Sequence, residues 1–324
     1  MSLVRYAGLR AVAVALLVGL SGRPVPAAPT APEAILAAVT GRVTVTPSRG
    51  GPPEPAMFGR ALARGDHIVV NANAHATVVL GDGSILDLAG KSALTVGGRV
   101  SQRVGARVGM LSREIFSDVS RFVIGGSRRE GLVALPPLRG RDVGPMLLRP
   151  RRTSLLERRP RLFWLPVAGA TAYRVAVAGE SGELWHREVR DTTVAYPANA
   201  APLAPGADIS WEVRALGANG EIRRERSLVH VLGAAEAARA RRALQRIRSA
   251  TGGDSTAAAR YLAGSYLYVN QLYAEAAAEF EALRDLAPTS PAPLEAIGEV
   301  DRAVGLPELA ADEDRRAHEL GRRP

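Results

Sequence analysis

At Ala234 the spacing of apolar residues changes from alternation to the helical period. Before that point the chain runs in short Val-rich stretches that alternate with polar residues, such as GRVTVTP (41–47), ATVVL (76–80), SILDL (84–88), YRVAVAG (173–179) and ISWEVRAL (209–216). Gly, Asn and Pro separate the stretches, which is the pattern of many short strands. After it, AAEAARARRALQRIRSA, AAARYLAGSYLYV, YAEAAAEFEALRDL and APLEAIGEVDRAV are rich in Ala, Glu, Leu and Arg at helical spacing. A half-buried strand and an amphipathic helix bury different periods of residues, so no single layer accommodates both halves. The expected fold class is therefore multidomain, mainly β followed by an all-α tail. The 324 residues are enough for two or three domains. Hydrophobic residues make up 47% and aromatics only 5%, so the cores must be built chiefly of Val, Leu, Ala and Ile.

Residues 1–28 read as a secretory signal. Arg5 and Arg10 give a positive start, AVAVALLVGL (11–20) an apolar run too short to span a bilayer comfortably, and VPAA (25–28) a small-residue cleavage site. The alternative is an inner-membrane anchor formed by residues 11–20. The chain has no cysteine, which excludes a lipid-modified cysteine anchor and any disulfide. A periplasmic or secreted protein is expected.

The formal net charge is +10, and Lys91 is the only lysine. Residues 127–161 concentrate this charge in a Pro-rich segment, with prolines at 136, 137, 145, 150 and 160, and read as a linker between two β domains. Such a run is ordinarily solvated. Its arginines, Arg149, Arg151, Arg152, Arg158, Arg159 and Arg161, are also a candidate surface for an anionic glycan, a lipid head group or an acidic partner.

Three stretches resemble known families. Gly41-Arg-Val-Thr-Val, Gly65-Asp66-His67-Ile68, Ala76-Thr-Val-Val-Leu, Asp82-Gly83-Ser84, Ile85-Leu-Asp-Leu and Ser92-Ala-Leu-Thr-Val occur in the order found in FecR-type domains, so residues 34–126 resemble that family. The resemblance implies an envelope domain that binds or transduces rather than catalyses. Leu162-Phe-Trp164, Tyr173-Arg-Val-Ala-Val, Leu203-Ala-Pro-Gly206 and Ile209-Ser-Trp211 resemble a fibronectin type III-like sandwich over 162–232, with Trp164, Tyr173 and Trp211 in its core. Gly264, Ala276, Phe280 and Pro288 fall at the small, small, aromatic and proline positions of a tetratricopeptide repeat. Gly298 and Ala310 lie 34 residues after Gly264 and Ala276, so residues 234–322 resemble that family. The second copy has Asp314 in place of the aromatic, and the helix at 234–250 is expected to cap the pair or the repeats to dock on the sandwich.

No motif of catalysis is present: no G-x-S-x-G, P-loop, H-E-x-x-H or dinucleotide fingerprint. The stretch RGDHIVVNANAHATVVLGDGS (64–84) gathers Asp66, His67, His75 and Asp82, which together offer Zn-type ligands. Asp and Asn are also turn formers and Asp-Gly is a hairpin signal, so the expectation is turn chemistry and no metal. No cofactor and no nucleic acid are expected.

The function these features favour is a non-enzymatic, exported scaffold. A partner protein of the envelope would be held in the groove of the helical repeats, with Tyr266 and Tyr273 as candidate contacts. Packing between helices is the competing role for the Tyr261, Tyr266, Tyr268 and Tyr273 group. The alternatives are a FecR-type sensor in a signal-transduction system and an accessory protein that binds cell-wall polysaccharide.

Overall fold

The structure, a computed structural model, describes residues 32–98, 106–127 and 146–322. The signal segment expected over 1–28 and most of the expected linker, 128–145, lie outside the described residues.

The first module is a pair of antiparallel sheets. One runs in the order β4-β1-β6-β7-β9, with β1 Ala34–Thr40, β4 Ala61–Leu62, β6 His75–Leu80, β7 Ser84–Ala89 and β9 Ala106–Met110. The other runs β3-β2-β5-β8, with β2 Val43–Thr46, β3 Glu54–Pro55, β5 His67–Val70 and β8 Ser92–Thr95. Alternating residues of β2, β5 and β8 meet Ala34, Leu36, Val78 and Leu88 in the core between the sheets. β1 departs from alternation: Ala34–Ala38 are all buried. Successive side chains of a strand point to opposite faces, so such a run means that both faces are covered. Ile35 and Ala37 pack on the far side, against helices.

One of those helices was not expected. Residues 34–126 read as β throughout, yet α1 spans Arg113–Ser127. Ile115, Phe116, Val119, Phe122 and Val123 are buried, the i, i+1, i+4, i+7, i+8 stripe of an amphipathic helix. Ser112 precedes it, with the Ile115 N–H 3.4 Å from its Oγ.

The second module is a sandwich of a three-stranded sheet, β10-β12-β15, and a five-stranded sheet, β11-β17-β16-β13-β14. These strands are β10 Leu147–Arg149, β11 Ser154–Leu155, β12 Arg161–Trp164, β13 Ala172–Gly179, β14 Gly182–Val189, β15 Thr193–Ala195, β16 Asp208–Gly217 and β17 Gly220–Val231. All pairs are antiparallel except β11 with β17. Trp164, Tyr173 and Trp211 occupy the core as expected, with the Trp164 and Tyr173 rings 5.6 Å apart.

The expected linker is shorter than its composition suggests. Residues 146–161 belong to the sandwich: they form β10 and β11 and open β12, and the Pro150 carbonyl accepts the Trp211 indole N–H at 2.6 Å. Prolines at the edges and ends of strands are compatible with pairing.

The tail is five helices: α2 Ala234–Ala250, α3 Ala257–Val269, α4 Tyr273–Leu286, α5 Ala292–Val304 and α6 Pro307–Gly321. Thr256 caps α3 by accepting the Ala259 N–H at 3.1 Å, and Gly305 ends α5 with φ 80°. Gly264 on α3 lies against Phe280 on α4, and Gly298 on α5 lies against Asp314 on α6. The 34-residue spacing in sequence is therefore a repeated helix-to-helix contact. Ile35, Val79, Phe122, Ile247, Leu262, Phe280 and Ile297 share one buried cluster, so the first module and the tail have a common core.

Candidate functional site

Most of the arginines proposed as a binding surface are tied into the fold. Arg149 Nη2 lies 2.8 Å from Glu281 Oε1 on α4. Arg151 pairs with Glu225 on β17 and donates through Nε to the Val304 carbonyl at 3.1 Å. Arg152 has φ 45° and lies so close to Gly305 that a Cβ there would come within 2.6 Å of its Nη1. Arg158 donates to the Leu203 carbonyl at 2.5 Å, and Arg159 to those of Ala198 and Ala200 at 3.1 and 2.8 Å. Of the six, Arg161 is exposed at the start of β12 without a protein partner among the described residues. Five donors in a fixed fork let one guanidinium satisfy several loop carbonyls, and that is how the segment is held.

The contacts of Arg149 with Glu281, of Arg151 with Val304 and of Arg152 with Gly305 belong to a joint between sandwich and tail. Thr153 Oγ accepts the Tyr273 N–H at 2.8 Å and donates to the Gln271 carbonyl at 3.0 Å. Ser154 N–H donates to the same carbonyl at 3.0 Å. Glu275, in the first turn of α4, accepts the N–H groups of Leu156 and Glu157 at 2.7 and 3.3 Å. Burial pushes the Glu275 carboxyl above the usual range, against those two N–H bonds, which act to lower it. On α5, the Asp301 carboxyl is pushed up to about 6. Burial is the main cause; Arg149 and Arg302 oppose it, and the neighbouring Glu313 and Glu281 add to it.

The tyrosines pack. Tyr266 is buried, and burial raises its hydroxyl, as it does that of Tyr261. Tyr273 is half-buried, its ring 5.4 Å from that of Tyr268. Phe122 of α1 reaches over to Tyr268 at 5.0 Å and stacks on Phe280 at 5.4 Å. The face of α3 that carries Tyr261 and Tyr266 packs against the chain's own α1 and β1.

The polar residues of 64–84 do not converge. Asp66 is buried and accepts the N–H groups of Ser48 and Ala63, both at 2.9 Å. Burial alone would raise its carboxyl; those bonds and the Arg60 charge bring it below the usual value. His67 faces Thr95, His75 faces Asp87, and Asp82 accepts the Ser84 N–H at 2.8 Å. Among the described residues no group of three or more His, Cys, Asp or Glu is placed to hold a metal ion.

Two surfaces escaped the sequence reading. A cleft of about 540 Å³ opens between the end of α4, the Pro288–Ser290 loop and the end of α6, with Arg284, Asp285, Arg316 and Glu319 among its lining residues. On α2, Arg239, Arg242 and Arg246 are exposed and form no ion pair or hydrogen bond with any described residue. Their spacing within ARARRALQRIR was the available signal.

No family model matches the chain, and no curated protein matches it, so the FecR-type resemblance of residues 34–126 has no counterpart there. Several solved structures are similar in part. The fn3 domain of the human collagen alpha-1(XX) chain is 25% identical, covering 30% of this chain and 95% of its own, with a TM-score of 0.22. FN3tt is 14% identical, over 28% of this chain and 98% of its own, with a TM-score of 0.22. A two-domain fibronectin type III segment of chicken tenascin is 12% identical, over 58% of this chain and 82% of its own, with a TM-score of 0.21. The sandwich is established by its own strand order and core.

Proposed function

We propose that this chain is a non-enzymatic scaffold of the cell envelope, exported by its N-terminal segment, in which a FecR-like domain, a fibronectin type III-like sandwich and a tetratricopeptide-like tail act as one rigid binding body. The observation that carries this reading is the joint: the Thr153 hydroxyl and the Ser154 and Leu156 N–H groups are bonded directly to residues 271–275. Domains joined only by flexible linkers move independently. Here ordering is built in, so a partner that touches two modules meets them already arranged, and binding costs less conformational entropy. Among the described residues, the cleft at the end of the tail and the exposed strand β14 are surfaces open to a protein partner.

The test is recovery of a partner from envelope extract at low salt, with the intact protein and with a Thr153→Ala, Glu275→Ala variant that loosens the joint. A partner held by the intact protein and released by the variant supports the reading. No partner, or one held equally by both, overturns it.

A further inference from the structure

We propose that the exposed face of α2 binds an acidic polysaccharide chain lying along the helix. Arg239, Arg242 and Arg246 stand at i, i+3 and i+7, which places them within roughly 60° of one another around the axis and spreads them over about 10 Å along it. All three are exposed and form no ion pair or hydrogen bond with any described residue; Arg239 lies within electrostatic reach of the Tyr266 hydroxyl. The neighbouring arginines differ: Arg241 donates to the Leu156 carbonyl, and Arg248 pairs with Asp254 and Glu279. The same strip continues into Ala235 and Ser249, so α2 itself places no acid at either end of the row. The only acid of α2, Glu236, lies to one side and accepts the Gly233 N–H.

The shape of this charge selects the ligand. Three cations in a single file match a linear polyanion, whereas a membrane surface calls for a broader basic field or an apolar face to insert. That apolar face is not available: Ala237, Ala240, Leu244 and Ile247 are buried in the shared core. Nor does the exposed face of α2 carry an aromatic on which a nucleic-acid base would stack. Guanidinium groups bond carboxylate and sulfate oxygens in pairs, so the row suits a uronic-acid or sulfated glycan. The proposal stands on α2 alone and does not depend on the three modules acting as a unit.

The experiment uses the full chain and three probes: heparin as the acidic polysaccharide, vesicles containing anionic phospholipid, and a single-stranded oligonucleotide. Binding is compared for the wild type, for Arg239→Gln, Arg242→Gln, Arg246→Gln, and for a charge-matched control, Arg161→Gln, Arg174→Gln, Arg187→Gln, with folding checked by circular dichroism. The expected result is that the wild type and the control bind heparin alike while the α2 variant loses roughly tenfold in affinity. Equal losses in both variants reduce the effect to net charge and overturn the proposal. So does an absence of heparin binding, or vesicle or oligonucleotide binding that is as tight and equally dependent on the α2 arginines.

Discussion

The Leu156 amide donates to Glu275 Oε1 at 2.7 Å, joining two residues 119 positions apart, one just beyond β11 of the sandwich and the other in the first turn of α4. An acid in the first turn also faces the positive end of the helix. Glu275→Ala leaves the N–H of buried Leu156 without its acceptor and removes a weaker bond from the exposed Glu157 N–H. The expected loss is about 2 kcal/mol of unfolding free energy in urea titrations. Glu275→Gln keeps Oε1 as acceptor and removes a charge that burial disfavours, so it is expected within about 1 kcal/mol of wild type. An alanine variant as stable as wild type would show that the joint contributes nothing.

Asp301 makes the same region sensitive to pH. Its folded value of about 6 lies above the ordinary 3.8, so the folded chain holds the proton more tightly than the unfolded one. The destabilisation from the ionised carboxylate is fully present above pH 6 and fades as the pH falls toward 3.8. Asp301→Asn is therefore expected to be more stable than wild type at pH 8, by about 1–2 kcal/mol once solvent screening is allowed for. At pH 4 the difference is expected to be small. Thermal melts of both proteins across this range decide it. A gap that is constant with pH would place the effect elsewhere.

The repeated contact in the tail yields unequal costs. A Cβ at Gly264 would lie 2.5 Å from Phe280 Cε1, a ring fixed in the core, whereas one at Gly298 would meet Asp314 Oδ1 at 3.0 Å, the end of a side chain on an exposed helix face. Gly264→Ala is expected to cost about 2–3 kcal/mol, since overpacking forces the ring to move. Gly298→Ala is expected to be within about 1 kcal/mol of wild type, because the better helix propensity of Ala offsets a small adjustment of Asp314. Urea midpoints of the two single variants provide the comparison. Equal costs would show that the difference between a fixed ring and a movable side-chain end does not govern the two contacts.

What was legible followed from patterns that one burial face imposes. Period-two stretches located most strands, the Trp164, Tyr173 and Trp211 core was foreseen, and the 34-residue spacing foretold a real contact. What was missed depended on a second face or on partners far along the chain. β1 does not alternate, because α1 and the tail cover its other side, and α1 was hidden by the β pattern before it. The run Arg149–Arg161 has the composition of a solvated linker, and only the fold brings Glu225, Glu281 and the Leu203 carbonyl to it. Conversely, the spacing of Arg239, Arg242 and Arg246 puts them on one face of α2, but nothing in one sequence tells an ion-paired arginine from an unpaired one.

The stretch 64–84 separates a fold signature from a metal site. Gly83 has φ +88°, and a Cβ there would come within 2.2 Å of the Leu111 carbonyl oxygen, which is backbone and cannot step aside cheaply. Gly83→Ala combines that clash with left-handed strain of about 1–2 kcal/mol, so a total loss of roughly 3 kcal/mol or more is expected. His67 is exposed and His75 only half-buried, each with a single polar neighbour. His67→Ala, His75→Ala is expected to shift stability by no more than about 1 kcal/mol. Urea titration with and without one equivalent of Zn²⁺ reads both claims at once. A metal-induced gain in the wild-type midpoint that the double variant loses would show that the histidines, and not the turns, are what the stretch is for.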